Sequence, residues 1–381
     1  MRRIACALVL VLAGVASSTG PAGAVSMGDP PGRTPPGADG PYGVGLTTFT
    51  AADPARPGRA LTMDVWYPSD AGSSSGSPAS LDLLVADIAL PGVRRDADVA
   101  TGQRFPLVVF SHGSGGVRFQ SWFLLQALAS HGYVVVAPDH AGNTSLDLLM
   151  GTSDPFPVVA ANRPRDVSFA VDQMLSRSSD PTDPLAGAVD GSRIAVAGHS
   201  FGGFTALAVA GGYDGLAPDE RVDAIIPIAA ASGPLSDAEL AAVDVPALLM
   251  AGVSDETVPL AAAAERPWAE LSGSPAWRVD VDRAGHNSFT NVCDLLDALV
   301  DAGLPPTLLA FLVSAAEEGC APSLIPIEDA HRLTVQYSLA FLRTTIGHDS
   351  RWRHYLAPQW AERNGLPVTV LARPAGQRRA G

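Results

Sequence analysis

The chain contains 381 residues, of which 39 are acidic and 25 are basic, so its formal net charge at pH 7 is −14. This acidic balance argues against nucleic acid or an anionic lipid surface as a partner. Apolar residues make up 47% of the chain, enough for a sizeable core, and the complete absence of lysine is typical of a GC-rich bacterial genome.

The N-terminus has the organisation of an export signal. Two arginines precede an apolar run over residues 4–16, which is too short to span a bilayer comfortably, and residues 22–24 (Ala-Gly-Ala) suit cleavage. We therefore predict a signal peptide over residues 1–24 and a secreted or periplasmic protein without a membrane span. A buried N-terminal helix is the alternative. Residues 25–43 are rich in glycine and proline, which predicts a flexible lead-in.

Short apolar runs and amphipathic stretches follow the lead-in. An alternating run over residues 61–68 predicts a half-exposed strand, and an apolar run over residues 81–91 predicts a helix that could cover a site entrance. Beyond these, buried strands alternate with helices, which predicts an α/β fold with a mostly parallel central sheet flanked by helices. The predicted strands cover residues 106–113, 132–140, 193–200, 222–230, 245–252 and 277–282, and the predicted helices cover residues 119–130, 165–176, 203–211 and 328–346.

A glycine-rich turn follows the first of these buried strands, with the sequence SHGSGG over residues 111–116. Turns at this position can present a backbone N–H group to a developing oxyanion. We expect Ser114 to supply that donor, with Gly115 as the alternative. His112 belongs to this turn and lies far ahead of the G-x-S-x-G pattern at residues 198–202, so a structural role is favoured over that of a catalytic base.

A strand-to-helix turn with the sequence GHSFGG covers residues 198–203 and matches the pattern G-x-S-x-G. The serine of this pattern lies on a tight turn beside a helix N-terminus, where free N–H groups favour negative charge. Gly198 and Gly202 permit the close backbone approach that the turn requires. The pattern therefore predicts Ser200 as a nucleophile and the N–H of Phe201 as a second oxyanion donor.

A nucleophilic serine requires a histidine base and a carboxylate that orients the histidine, in the chain order Ser, acid, His. Asp255 follows the end of a predicted strand, and we favour it over the adjacent Glu256. His286 lies in a turn after the last predicted parallel strand, and we favour it as the base. The later histidines fit less well, and they are His331, His348 and His354.

Two cysteines remain once the predicted signal peptide is removed. In an oxidising compartment we expect Cys293 and Cys320 to form a disulfide, and two buried free thiols are the alternative. No group of His, Cys and carboxylate residues has metal-ligand spacing, and no glycine-rich loop with a lysine could hold a phosphate. We therefore expect no metal site and no cofactor.

Two further polar groups are expected to stabilise structure. We expect an ion-pair cluster at a helix start, formed by Arg163, Arg165 and Asp166. The second group lies at a strand end, where turn stabilisation is favoured over pocket lining, and its members are Asp139, His140 and Asn143.

Six motifs taken together resemble one family. They are PLVVFSHGSGG, LASHGYVVVAPDHAGN, RPRDVSF, AVAGHSFGG, LLMAGVSDETVP and AGHNSFTNVC. They are similar to the bacterial platelet-activating-factor-acetylhydrolase-like branch of the α/β-hydrolases, often labelled predicted dienelactone hydrolases. The order and spacing of the catalytic candidates also resemble bacterial cutinases and polyester hydrolases. Two departures are Ser200, where true dienelactone hydrolases have cysteine, and Phe201, where cutinase-like enzymes usually have methionine.

The resemblance implies an α/β-hydrolase fold over residues 44–347, followed by a C-terminal extension over residues 348–381. Insertions over residues 71–105 and 291–325 are expected near the site, the second as helices after the catalytic histidine. The implied protein is a monomeric serine carboxylic ester hydrolase that acts on short-acyl, small or lipid-like esters. The alternatives are a cutinase-like polyester hydrolase, a phospholipid acetylhydrolase or lipase, an amidase or peptidase, and a non-catalytic binding protein.

Overall fold

In the computed structural model, which describes residues 39–83 and 85–376, eleven strands form one mixed sheet. The strands are β1 (Gly43–Ala52), β2 (Ala60–Ser69), β3 (Ser77–Asp82), β4 (Asp87–Arg95), β5 (Phe105–Ser111), β6 (Val134–Pro138), β7 (Val189–His199), β8 (Ala224–Ile228), β9 (Ala247–Gly252), β10 (Ala276–Val281) and β11 (Val368–Arg373). Their spatial order is β11-β10-β9-β8-β7-β5-β6-β2-β1-β4-β3. The six central strands from β10 to β6 are parallel, and β2 and β11 join them antiparallel on either side.

Helices cover both faces of this sheet. They are α1 (Trp122–Ser130), α2 (Ser145–Met150), α3 (Phe156–Ser179), α4 (Phe201–Gly211), α5 (Asp237–Ala241), α6 (Arg266–Glu270), α7 (Val292–Asp301), α8 (Pro306–Glu317), α9 (Ile327–Thr344) and α10 (Pro358–Arg363). In β5, Val108 packs with α1 and α9, whereas Leu107 packs with α3 and α4. Successive residues thus enter opposite cores, because side chains alternate across a strand. The predicted α/β-hydrolase architecture is confirmed.

Two predictions along the N-terminal half are wrong in detail. Residues 81–82 end β3 and residues 87–91 begin β4, so the predicted helix is wrong, and Leu90 is buried between the exposed residues Ala89 and Pro91. Because β4 pairs with β1, this segment lies five strands from β7 at the edge of the sheet, not over a site entrance. Strand β2 is not half-exposed, since it lies between β1 and β6 with both faces covered.

The C-terminal extension is part of the same sheet. Strand β11 pairs antiparallel with β10 over six residues, and Trp352, Tyr355 and Leu356 are buried ahead of it. The predicted domain end at residue 347 is therefore too early. The predicted signal peptide over residues 1–24 lies outside the described residues, as does the lead-in up to residue 38. Within the described ranges, no helix is both long and apolar enough to cross a membrane.

Candidate active site

Ser200 occupies a strained turn between β7 and α4. Its backbone has φ 58° and ψ −116°, in a region that non-glycine residues rarely adopt. A Cβ at Gly202 would lie 1.8 Å from the Ser111 carbonyl oxygen, and one at Gly198 would lie 2.3 Å from the Gly202 oxygen. Only glycine fits both positions. The strain holds the serine at the carboxyl edge of the sheet, and Ser200 is only partly buried.

The structure brings Ser200, His286 and Asp255 into one hydrogen-bonded chain. His286 Nε2 lies 2.9 Å from Ser200 Oγ, and His286 Nδ1 lies 2.8 Å from Asp255 Oδ2. Asp255 Oδ1 accepts a 2.7 Å hydrogen bond from the Val258 N–H, so both carboxylate oxygens have donors. The alternative acid, Glu256, is exposed and lies outside this chain.

The two loops that carry these groups leave neighbouring strands. Asp255 follows β9, and His286 begins a short 3₁₀ turn (His286–Phe289) after β10. Parallel strands end at the same edge of a sheet, so both side chains reach the end of β7. Asp255 is 6% exposed and His286 is 5% exposed, which excludes most water from their hydrogen bond.

The glycine-rich turn after β5 lies directly beside Ser200. A Cβ at Gly113 would lie 3.4 Å from Ser200 Cβ, and the N–H of Gly116 closes the turn onto the Gly113 carbonyl. Among the residues that the structure describes, the N–H groups of Ser114 and Phe201 have no acceptor. Neither N–H is therefore committed to a hydrogen bond with another described residue.

His112 has a structural environment. Its Nδ1 donates to the Gly113 carbonyl at 2.7 Å, and its Nε2 accepts from the His140 N–H at 3.1 Å. Burial lowers the pKa of His112 well below its ordinary value, and the positive charge of Arg163 lowers it further. Both ring nitrogens of the neutral ring are occupied, so His112 has no nitrogen left to act as a base.

Sequence reasoning missed two residues that connect the turn to the histidine loop. Gln120 accepts from the Gly113 N–H at 3.0 Å and donates to His199 Nδ1 at 2.9 Å. His199 Nε2 donates in turn to the His286 carbonyl at 2.8 Å. Burial lowers the pKa of His199 to about 3, so this ring is neutral. The only sequence signal was the position of His199 next to the predicted nucleophile.

The arginine-rich motif on α3 is arranged differently from the prediction. Asp166 pairs with Arg56 and Arg59 and accepts from His140 Nδ1, whereas Arg165 is exposed. These contacts occur inside α3, which begins at residue 156, and not at a helix start. Arg163 is fully buried and takes no part in the ion pairs, so the predicted three-residue cluster does not form.

The insertion over residues 291–325 forms α7 and α8 and contacts both the loop that carries Asp255 and the loop that carries His286. The Asn287 N–H donates to the Glu318 carbonyl at 2.8 Å, and Thr257 Oγ1 donates to the Glu318 carboxylate at 2.7 Å. Cys293 and Cys320 form a disulfide across the insertion, which confirms their predicted pairing. The insertion therefore connects the loop after Asp255 to the loop after His286.

The fold and this arrangement define an α/β-hydrolase with the side-chain geometry of a serine hydrolase. Residues 98–297 match the family described as "PETase: PET hydrolase-like", which is more than half of the chain. The chain belongs to the PET hydrolase-like family.

Known relatives agree with the resemblance inferred from the motifs. The chain is 27% identical over 230 residues to platelet-activating factor acetylhydrolase of Cavia porcellus, covering 46% of this chain and 51% of that protein. It is 34% identical over 103 residues to cutinase est1 of Thermobifida alba, covering 27% and 29%. The chain thus spans about half the length, or less, of these relatives. A ferulic acid esterase from Streptomyces cinnamoneus has a similar structure, with a TM-score of 0.62, 29% identity and coverage of 81% and 91%.

Proposed function

We propose that this protein is a secreted serine carboxylic ester hydrolase that acts on short-acyl esters. The observation that carries the proposal is the hydrogen-bonded chain from Ser200 Oγ through His286 to Asp255. The names of the three relatives, all ester hydrolases, also favour hydrolysis of an ester bond. Export is supported by the disulfide and by the signal-like N-terminus.

In the acylation step, His286 Nε2 takes the proton of Ser200 as Oγ attacks the ester carbonyl carbon. The His286 Nδ1–H remains hydrogen-bonded to Asp255, which fixes the tautomer and stabilises the imidazolium. The imidazolium then gives its proton to the leaving alcohol as the C–O bond breaks. The first proton transfer follows the hydrogen bond between Ser200 Oγ and His286 Nε2, which the free protein already contains.

The carbonyl oxygen acquires negative charge in this step and needs donors that are fixed in advance. The N–H groups of Ser114 and Phe201 supply them, and the N-terminus of α4 adds a favourable dipole at Phe201. One such donor typically stabilises the transition state by about 2.7–4 kcal/mol. In deacylation, water attacks the acyl-enzyme with the same base and donors, and Ser200 is regenerated. The cycle requires no cofactor.

A second candidate, a hydrolase of polyesters or of aggregated lipid-like esters, is favoured by the surface beside the turn. Four apolar side chains of α2 and the start of α3 are more than half exposed, and we call them the apolar rim: Leu146, Leu149, Met150 and Phe156. The Phe156 ring lies 5.5 Å from the Phe201 ring, so the rim is continuous with the candidate site. Exposed apolar patches of this kind mark surfaces that bind apolar partners.

Hydrolysis of p-nitrophenyl esters from acetate to palmitate tests the proposal, with a polyester film assayed in parallel. We expect activity that peaks at C2–C4 and is lost in Ser200→Ala, while the exposed-site control Ser179→Ala retains it. Film clearing or a long-chain peak would favour the second candidate. Hydrolysis of anilides in preference to esters would indicate an amidase, and hydrolysis that survives in Ser200→Ala would contradict the mechanism.

A further inference from the structure

A buried guanidinium lies beneath the turn that carries Ser114. Arg163, from α3, is 0% exposed, and within residues 39–83 and 85–376 no carboxylate is within ion-pair distance of it. The nearest acid on its helix, Asp166, is paired with Arg56 and Arg59 instead. Burial lowers the pKa of Arg163 to about 9, although Asp166 opposes this effect at longer range. An unpaired buried charge is costly, so its retention requires a reason.

The donors of Arg163 are directed at the backbone around the candidate oxyanion site. Nη2 donates to the Gly113 carbonyl at 3.0 Å, and Nη1 donates to the His112 carbonyl. The guanidinium carbon also lies 4.9 Å from the centre of the Phe201 ring. Arg163 therefore contacts two groups. One is the peptide unit that carries the Ser114 N–H, and the other is the side chain of Phe201, whose own N–H is the second predicted oxyanion donor. Nη1 also donates to Ser111 Oγ and Nη2 to Asn143 Oδ1, whereas the buried Nε–H has no hydrogen-bond partner among the described residues.

The orientation of the Ser114 N–H follows from peptide geometry. In a trans peptide the carbonyl and the next N–H point in opposite directions. The Gly113 carbonyl accepts from Arg163 Nη2 at 3.0 Å, His112 Nδ1 at 2.7 Å and the Gly116 N–H at 3.2 Å. The Ser114 N–H therefore points away from the buried cation. A cation on the carbonyl also polarises the peptide unit, which makes its N–H a better donor.

We propose that Arg163 is a positioning residue of the oxyanion hole, which holds and polarises the Gly113–Ser114 peptide so that the Ser114 N–H is ready before substrate binds. This inference rests on the proposed ester hydrolysis and adds to it. It gives the buried charge a role in transition-state stabilisation. The competing explanation is that His112 and Gly116 suffice to hold the carbonyl and that Arg163 only fills space in the fold.

Arg163→Met and Arg163→Lys separate these explanations. The methionine variant keeps the volume and removes the donors and the charge, and the lysine variant keeps the charge without the forked geometry. The first control is Arg165→Met, an exposed site two residues along the same helix. The second is Arg59→Met, which disturbs the same buried network through Asp166 and has no hydrogen bond to the turn.

The measurements are kcat and KM for p-nitrophenyl butyrate, the inhibition constant of butylboronic acid, and the thermal midpoint of each variant. Butylboronic acid forms a bond from Ser200 Oγ to boron, the serine proton passes to His286, and the tetrahedral boronate carries the negative charge. It therefore reports on oxyanion stabilisation, whereas KM for the ester reports mainly on ground-state binding.

In Arg163→Met we expect kcat to fall about 100-fold, as on loss of one oxyanion donor. The boronate inhibition constant should rise by a similar factor at nearly constant KM, and Arg163→Lys should be intermediate. Arg59→Met should lower the thermal midpoint without this paired change, and Arg165→Met should match the wild type.

Three results would overturn the inference. A folded Arg163→Met with kcat and boronate affinity near those of Arg165→Met would show that the turn needs no cation. Equal losses in Arg59→Met would assign the effect to general destabilisation. If neither Arg163 variant folds, the residue serves the fold as a whole and not the turn. A wild type that hydrolyses no ester and binds no boronate would instead contradict the proposed function itself.

Discussion

Three buried histidines near the candidate site are held neutral by their surroundings. His112, His140 and His199 are each 1% exposed or less, and burial is the main cause that lowers their pKa values, to about 4 for His140 and about 3 for His199. Their ring nitrogens are fixed by backbone and side-chain partners, as in the contact of 2.9 Å between His140 Nε2 and Ser111 Oγ. Their neutral rings make the active-site scaffold sensitive to acid.

Stability should therefore fall as pH drops below about 6.5. In the unfolded chain each of these histidines has an ordinary pKa near 6.5 and takes up a proton, whereas the folded state resists protonation down to about pH 4 for His140. Each histidine whose pKa is lower in the folded than in the unfolded state then reduces the free energy of unfolding by about 1.4 kcal/mol for every pH unit between its two pKa values.

Urea unfolding at pH 7.5, 6.5, 5.5 and 4.5 measures this effect. We expect a free energy of unfolding that is nearly constant from pH 7.5 to 6.5 and declines steeply below it. In His140→Gln the slope between pH 6.5 and 4.5 should be shallower, whatever the starting stability. A flat profile down to pH 4.5 would show that these rings are protonated in the folded protein.

At the scale of elements, the site is assembled by contacts between loops that leave different strands. Gln120 lies just before α1 and connects the turn after β5 to His199 at the end of β7. The insertion that forms α7 and α8 connects the loops after β9 and β10. The positions of Ser200, Asp255 and His286 therefore depend on side chains outside the hydrogen-bonded chain that these three residues form.

Replacement of Gln120 by methionine should slow catalysis more than it weakens binding. The change leaves the Gly113 N–H and His199 Nδ1 without partners, a loss of about 1–3 kcal/mol. If half of that loss falls on the transition state, kcat for p-nitrophenyl butyrate drops roughly 2- to 12-fold. Steady-state kinetics beside Gln126→Met, a partly buried glutamine on α1, provides the comparison. Equal kcat values for the two variants would exclude a positioning role for Gln120.

The disulfide should stabilise the insertion and, through it, the catalytic loops. Cys293 and Cys320 are separated by 27 residues, and closing such a loop is worth about 3.5 kcal/mol in the chain-entropy model. We expect Cys293→Ser with Cys320→Ser to lower the thermal midpoint and the ester activity together. Differential scanning calorimetry and the butyrate assay check this. Full activity in a destabilised variant would show that the insertion does not support the loops.

At the scale of the whole molecule, the parts that could be predicted are those with local signals. A pattern within about ten residues predicts each of three parts: the strand-to-helix turn around Ser200, Asp255 at a strand end, and the buried parallel strands. The structure brings these parts together. The hydrogen bond between Gln120 and His199 joins residues 79 positions apart, and that between Arg163 and Gly113 spans 50. No local sequence pattern predicts hydrogen bonds over such separations. Strands β4 and β11 were missed because they pair with β1 and β10, which are distant in the chain, and β3 was missed with its hairpin partner β4.

The apolar rim should matter for insoluble substrates and not for soluble ones. Leu149→Ser with Met150→Ser removes two of the most exposed apolar side chains of α2 without touching the hydrogen-bonded chain at Ser200. We expect lower adsorption to polyester film and lower film hydrolysis, with kcat/KM for p-nitrophenyl acetate unchanged. The control is Val85→Ser, an exposed valine in the connection between β3 and β4 at the far edge of the sheet. Equal film binding by all three proteins would remove the support for the polymer candidate.

Ser200 is the proposed nucleophile of this PET hydrolase-like chain. The most direct measurement is labelling of the intact protein with a fluorophosphonate, followed by mass spectrometry of its peptides. One adduct per chain is predicted, on the peptide that contains Ser200, with none in Ser200→Ala and slow labelling in His286→Ala. A label on another residue, or no label on a folded protein, would contradict a catalytic role for Ser200.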